Sequence, residues 1–423
     1  MPDYLILLLM VAVFAIAAMA FKLPIGLSLV ISALAGGLLG GEGIPLRHLV
    51  EGSFGYFDTI LIIIAAMIYM QALEKSGILD TITALLLKTF YRRKFSLLMT
   101  VMVIIMFPGM ITGSSTVAVL STGTLVAPVL VRLGLSKVKT AALIAMGAIL
   151  GMIAPPVNIL VMIMGGGVDM PYVGLTLPLL IIVIPLAVVF ALWLGYRDIR
   201  IIDRAELFSI LPPSLERKYR GRIVIPLAVV FLLLIAQGLP QIQVPDLGIP
   251  AIFLVGSLAC LLGGRRFNVF GATQSALGAS MPILAILAGV GMFIQVMTLT
   301  GGRGWIILTF LALPPTLLYA GIATSMPLFG AVSAYGSASI LGVPFILALI
   351  EKNAIFTSAA LSAVAGLGDL MPPTALAGIF AAQVVGESNY FKVLRYCLVP
   401  AFLQLAVGIG VLLLTPWLER LLF

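Results

Sequence analysis

The chain has 423 residues, 62% of them apolar and only 9% charged, at a mean hydropathy of +1.23. An average soluble protein carries about 25% charged residues, so a water-soluble globule is excluded and the net charge of +8 is read as membrane topology, not nucleic-acid affinity. One histidine (His48), two distant cysteines in apolar stretches (Cys260, Cys397) and no Gly-Lys pair exclude HExxH zinc, CxxC redox and P-loop nucleotide chemistry.

A membrane-crossing helix needs about 20 mostly apolar residues. The first such segment is 4–21, and Met1-Pro2-Asp3 ahead of it lacks a basic flank, so a retained span is expected there and not a cleaved signal. Further crossings are predicted near 23–41 and 55–74, with His48 in the polar loop between them. The stretch 78–95 mixes apolar residues with Asp80, Lys88 and Arg92-Arg93-Lys94, the pattern of a helix lying along the interface.

The apolar region 96–131 is interrupted by Pro108-Gly109, by residues 112–116 and by 121–124. Its arms of about 12–17 residues are short for spans and suit a re-entrant helical hairpin. Crossings follow near 139–165, broken at Pro155-Pro156, and 173–196. The long polar stretch 197–222 reads as a cytoplasmic linker at the chain's midpoint.

Beyond it, crossings are predicted near 223–239, 249–264 and 274–299. A second interrupted region, 315–350, again reads as a re-entrant hairpin. The last crossings are 353–385, broken at Pro372-Pro373, and 396–418.

Ten crossings and two hairpins with both termini outside place 20 of the 24 Lys and Arg on the cytoplasmic face, leaving Arg47, Arg303, Lys352 and Arg420 opposite. That asymmetry is what the positive-inside rule demands.

A shift of 217 superposes Gly113 on Gly330, Gly151 on Gly368, and Pro155-Pro156 on Pro372-Pro373, with Pro128 meeting Pro344 after a one-residue gap. Five crossings per half, an odd number, turn the second copy upside down. The expected fold is thus an all-α polytopic membrane protein of two inverted repeats, 1–196 and 223–423, as in secondary transporters.

Unwound backbone survives inside a bilayer only where it lines an enclosed or wet site. Carbonyl and hydroxyl oxygens at 112–116, 330–337 and the two Pro-Pro breaks suit a small hard cation such as Na⁺. Helix N-termini at the same breaks favour an anionic substrate group. Ser114, Ser115, Asn158, Ser337 and Thr374 are the candidate substrate-binding residues. Plainer alternatives stand beside these: the Gly-Ser-Ser-Thr run packs helices closely, the double prolines only kink their helices, and Asn158 satisfies a freed carbonyl. Asp369, three residues before Pro372, is the acid most deeply placed in an apolar segment. It is either a coupling group or a structurally paired acid. Asp169 and Glu387 fall at span ends, where solvation suffices.

The stretch GMITGSSTVAVLSTGTLVAPVLVRLG at 109–134, followed by GAILGMIAPPVNIL at 147–160, resembles the large membrane subunit of TRAP (tripartite ATP-independent periplasmic) transporters. MIYMQALEKSGILDTI at 67–82 is similar to the family's segment after its third span. The resemblance implies Na⁺-coupled import of organic acids across a bacterial inner membrane, an elevator-type motion, a small four-helix membrane partner and a periplasmic substrate-binding protein. It also implies two Na⁺ sites, one per hairpin tip: Gly113, Ser115 and Thr116 with Pro155, and Gly330 and Ser333 with Pro372, to which Asp369 is added. The second half departs from the family pattern, with Met371-Pro372-Pro373-Thr374-Ala375 at the break and no acid between Asp246 and Glu351. A stand-alone ion-coupled carboxylate symporter or exchanger is the alternative within the class. An intramembrane enzyme is the remote one, since no base is placed to activate a hydroxyl near Asp369.

Overall fold

The computed structural model describes residues 1–201, 206, 211, 214–238 and 247–422, and every element among them is helical. A backbone surrounded by lipid must satisfy its hydrogen bonds within each segment, which the helix does. In the first half these are α1 (Asp3–Met19), α2 (Ile25–Gly40), α3 (Leu46–Phe54), α4 (Phe57–Lys75), α5 (Ile78–Phe90), α6 (Lys94–Thr112), α7 (Ser115–Arg132), α8 (Lys137–Ile153), α9 (Ile159–Gly166) and α10 (Thr176–Gly195). The second half holds α11 (Ile225–Gly238), α12 (Gly248–Gly263), α13 (Val269–Leu299), α14 (Gly302–Leu311), α15 (Pro315–Gly330), α16 (Ala334–Ala348), α17 (Ala354–Gly366), α18 (Leu376–Val384) and α19 (Tyr390–Leu422).

Six of these helices are long and apolar enough to cross a membrane, and α1, α2, α11 and α12 are shorter apolar helices at predicted crossings. The segments 139–165 and 353–385 are each two helices with a gap, as the double prolines required. Part of the predicted linker 197–222 lies outside the described residues.

Four expectations are corrected. The stretch around His48 is the helix α3 and not a loop; its buried Leu49 and Gly52 press it onto α13. A second short helix, α14, was not foreseen in the sequence pattern because ten residues carry too little periodicity to register. The arms of the first interrupted region are 19 and 18 residues, long enough to cross by length, so its interruption and not its brevity sets it apart.

The fourth correction concerns register. Ser114 caps α7 and Ser333 caps α16, and a π-helical turn follows at Val119–Gly123 and at Ala338–Gly342. The tips therefore correspond at a shift of 219, and Gly330 is not the counterpart of Gly113. The proline breaks keep the shift of 217, because the two halves differ by two residues between tip and break.

The helices pack as two groups, and each group draws on both halves of the chain. One comprises α1 to α4 and α11 to α13, centred on the 31-residue α13 lying along α2, α3 and α4. The other comprises α6 to α10 and α15 to α19, in which α8 contacts α6, α10, α18 and α19. The links between groups include α5 against α6 and α14 against α16.

The two ends of the molecule also separate. At one end Lys139 bonds Asp198, and the Arg200 N–H donates to Leu133 O at 2.7 Å. At the other, Tyr4 meets Trp305 with ring centroids 5.8 Å apart, and Arg303 donates to Gly167 O at 2.6 Å.

Candidate functional site

The two tips and the two breaks converge inside the second helix group. At the first tip α6 stops because Gly113 takes a left-handed conformation (φ 63), which costs glycine nothing. Its N–H donates to Gly109 O at 2.7 Å, and Ser114 then caps α7 by accepting from the Val117 N–H. At the second tip α15 ends at Gly330, and Ser333 caps α16 by accepting from the Gly336 N–H at 3.1 Å.

Each tip is tied to the break of its own half. The Val157 N–H donates to Met110 O at 3.1 Å in the first half. In the second, the Thr374 hydroxyl and N–H donate to Ala331 O at 2.9 and 3.3 Å. Glycines allow these approaches: a Cβ on Gly151 would stand 2.4 Å from Met106 O, and one on Gly368 would stand 2.6 Å from the Gly330 Cα. Both Pro-Pro bonds are cis.

The tips are also tied across the halves. Ser115 Oγ donates to the carboxylate of Asp369, which sits in the 3-10 turn Leu367–Leu370 just before the second break. Tyr335, next to the second tip, donates its hydroxyl to Gly113 O at 3.1 Å, with Ser114 and Asp369 beside it. Ser115 is 1% exposed and Asp369 6%, and Asp369 is the one charged residue buried among the described residues. No ion pair among the described residues reaches it. The group set is a carboxylate, hydroxyls and a helix-terminal carbonyl: all oxygen, all hard.

The other predicted residues are placed as follows. Thr116 is half-buried. Pro155 is buried, whereas Pro372 is exposed, so the two breaks differ in their surroundings. Three substrate candidates are instead committed to the protein itself. Asn158 is fully buried: Nδ2 donates to Ile153 O at 2.8 Å and to Ser362 Oγ at 3.0 Å, while Oδ1 accepts from the Val161 N–H at 3.1 Å. It satisfies the carbonyl freed by the break and caps α9, as the plainer of its two readings expects. Ser337 is fully buried and donates to Met326 O at 2.8 Å, and Thr374 is bound to Ala331 as above. Asn158→Ala is expected to lower stability by ~1–3 kcal/mol through the polar groups it orphans. Substrate KM of the folded transporter should not change; a raised KM at unchanged melting temperature would restore the substrate role.

Tyr335 and Ser362 were missed as members of this cluster. Tyr335 follows the Ser333 cap, a signal that an aromatic hydroxyl faces the tip, but nothing in its neighbourhood names Gly113 as its partner.

Residues 11–418 match the family described as the DctM component of the tripartite ATP-independent periplasmic transporter. The chain belongs to this family. Its fold is similar to two solved structures. One is MtrF of Neisseria gonorrhoeae, described as illuminating a class of antimetabolite efflux pumps, at a TM-score of 0.62 and 12% identity over 96% of this chain and 97% of that one. The other is the YdaH transporter of Alcanivorax borkumensis, at a TM-score of 0.61 and 17% identity over 98% of each chain. At these identities the likeness is one of fold. No curated protein matches the chain. As a DctM-family member the chain is a polytopic membrane component of a TRAP-type transporter.

Proposed function

We propose that the chain imports a small carboxylate across a bacterial inner membrane, driven by Na⁺, with both termini periplasmic. A four-helix membrane subunit and a periplasmic substrate-binding protein complete the machine, as membership of the DctM family supports. The reading rests on one observation above all: Asp369 of the second half, the single buried charge among the described residues, meets Ser115 at the tip of the first. An unpaired carboxylate away from water is costly unless a cation or proton joins it. Na⁺ fits, because its ligands would be the carboxylate, the Ser115 hydroxyl and carbonyls left open at the end of α6. One cation site shared by both halves is thus proposed, where the family resemblance implies two, one per tip.

Two helix groups, each drawn from both halves, support the inverted repeats expected from the sequence and an elevator in which the group carrying the tips moves against the other. Helices α5 and α14, one per half, precede the interrupted helices and serve as connecting arms. Uptake into proteoliposomes with the partner proteins tests the function: transport indifferent to Na⁺, to protons and to the binding protein would overturn it. Ser115→Ala removes one hydroxyl from a charged partner. It should raise the half-saturating Na⁺ concentration about tenfold or more, since such bonds contribute ~1.5–3 kcal/mol. Unchanged Na⁺ affinity would make the hydroxyl a packing group.

A second reading takes up the whole-length likeness in fold to MtrF and YdaH: a stand-alone transporter, outward-directed as the description of MtrF has it. Co-purification with a small membrane subunit separates the two.

A further inference from the structure

We propose that the basic end of the molecule carries a binding site for an anionic phospholipid. A cavity of about 1190 Å³ opens there between the start of α8, the end of α10 and the start of α19. Lys139, Arg197, Lys392 and Arg395 line it, and no acidic side chain does. Two of these cations are answered nearby, Lys139 by Asp198 and Lys392 by Glu387 at 3.4 Å. Arg197 and Arg395 are exposed and make no ion pair among the described residues. Two free guanidiniums suit phosphate oxygens, which they grip in bidentate fashion.

What distinguishes a lipid from a soluble phosphate is the rest of the wall. Trp193 (60% exposed) and Tyr396, whose ring centroid lies 5.6 Å from Lys139 Nζ, are aromatics of the kind enriched at headgroup level. Below them Val189 and Val399 present an exposed apolar surface on which an acyl chain can lie. A basic pocket between helices on the positively charged side is the arrangement that selects anionic headgroups. The inference rests on the fold alone and is independent of Na⁺ coupling.

The test is lipid binding by the purified full-length protein in detergent, measured by native mass spectrometry with phosphatidylglycerol and phosphatidylcholine of matched chains. Phosphatidylglycerol should bind more tightly. The double variant Arg197→Gln, Arg395→Gln should weaken it about 30-fold while leaving phosphatidylcholine unchanged. Arg197→Lys with Arg395→Lys should keep most of the preference, and Arg265→Gln with Arg266→Gln should keep all of it. Val399→Glu, which leaves both arginines in place, is the independent variant and should give the same selective loss. Equal affinity for the two lipids, or unchanged binding in the double variant, would overturn the proposal. Displacement by glycerol phosphate would show a soluble-phosphate site, and displacement by a membrane partner of the same cavity would show a protein interface; either outcome also overturns it.

Discussion

Asp369→Asn should reduce Na⁺-driven uptake about 100-fold or more, the equivalent of losing ~3 kcal/mol of charge-assisted binding. The amide keeps the shape and an oxygen for Ser115 Oγ, so the hairpin tip stays where it is. What disappears is the one buried formal charge among the described residues. A second measurement separates coupling from structural pairing. A buried carboxylate with no cation is a burden on the fold, so without Na⁺ the variant should melt at the same temperature as the parent or higher. The parent should gain stability on Na⁺ addition, by about 2.7 kcal/mol at a hundredfold excess over Kd, and the variant should gain none. A variant that melts lower without Na⁺ and still gains stability from it would make Asp369 a structural acid.

Gly368→Ala should have the other large effect. The added Cβ would stand 2.6 Å from the Gly330 Cα and 2.8 Å from its carbonyl carbon and oxygen. All three are backbone atoms, so no rotamer change relieves the overlap. The second tip must move off its break, at a cost of about 1–3 kcal/mol for overpacking. Because Thr374 binds Ala331 O at that same junction, the displacement should also loosen the Tyr335 contact with Gly113. The expected result is a lowered melting temperature with transport lost in the protein that remains folded. Normal transport and melting would mean that the two glycines do not stay together during the working cycle. Gly410→Ala, with nothing within 4 Å of its added Cβ, is the matched control.

The sequence alone determined the membrane character, the positions of the apolar helices and the four interruptions at 112–116, 155–156, 330–337 and 372–373. These are local properties. Hydropathy is summed over about 20 residues, and a double proline or a Gly-Ser run breaks a helix whatever its neighbours are. It also marked Asp369, because an acid inside an apolar segment is conspicuous without any partner.

Tertiary structure decided what those pieces do together. Ser115 and Asp369 are 254 residues apart and Tyr335 and Gly113 are 222 apart, so no pattern along the chain pairs them. The same holds for Asn158, whose amide could serve a substrate or a carbonyl until Ser362 and Ile153 were found to hold it. The offset of two residues between tips and breaks was hidden as well, since glycines and prolines align by type while caps align by geometry. A short helix such as α3 is amphipathic on its own, but nine residues are too few to hold a helix without packing on a long neighbour. Local rules fix where a chain must break; only the packed molecule fixes which broken ends face each other, because that choice is made by contacts between residues that the chain itself keeps far apart.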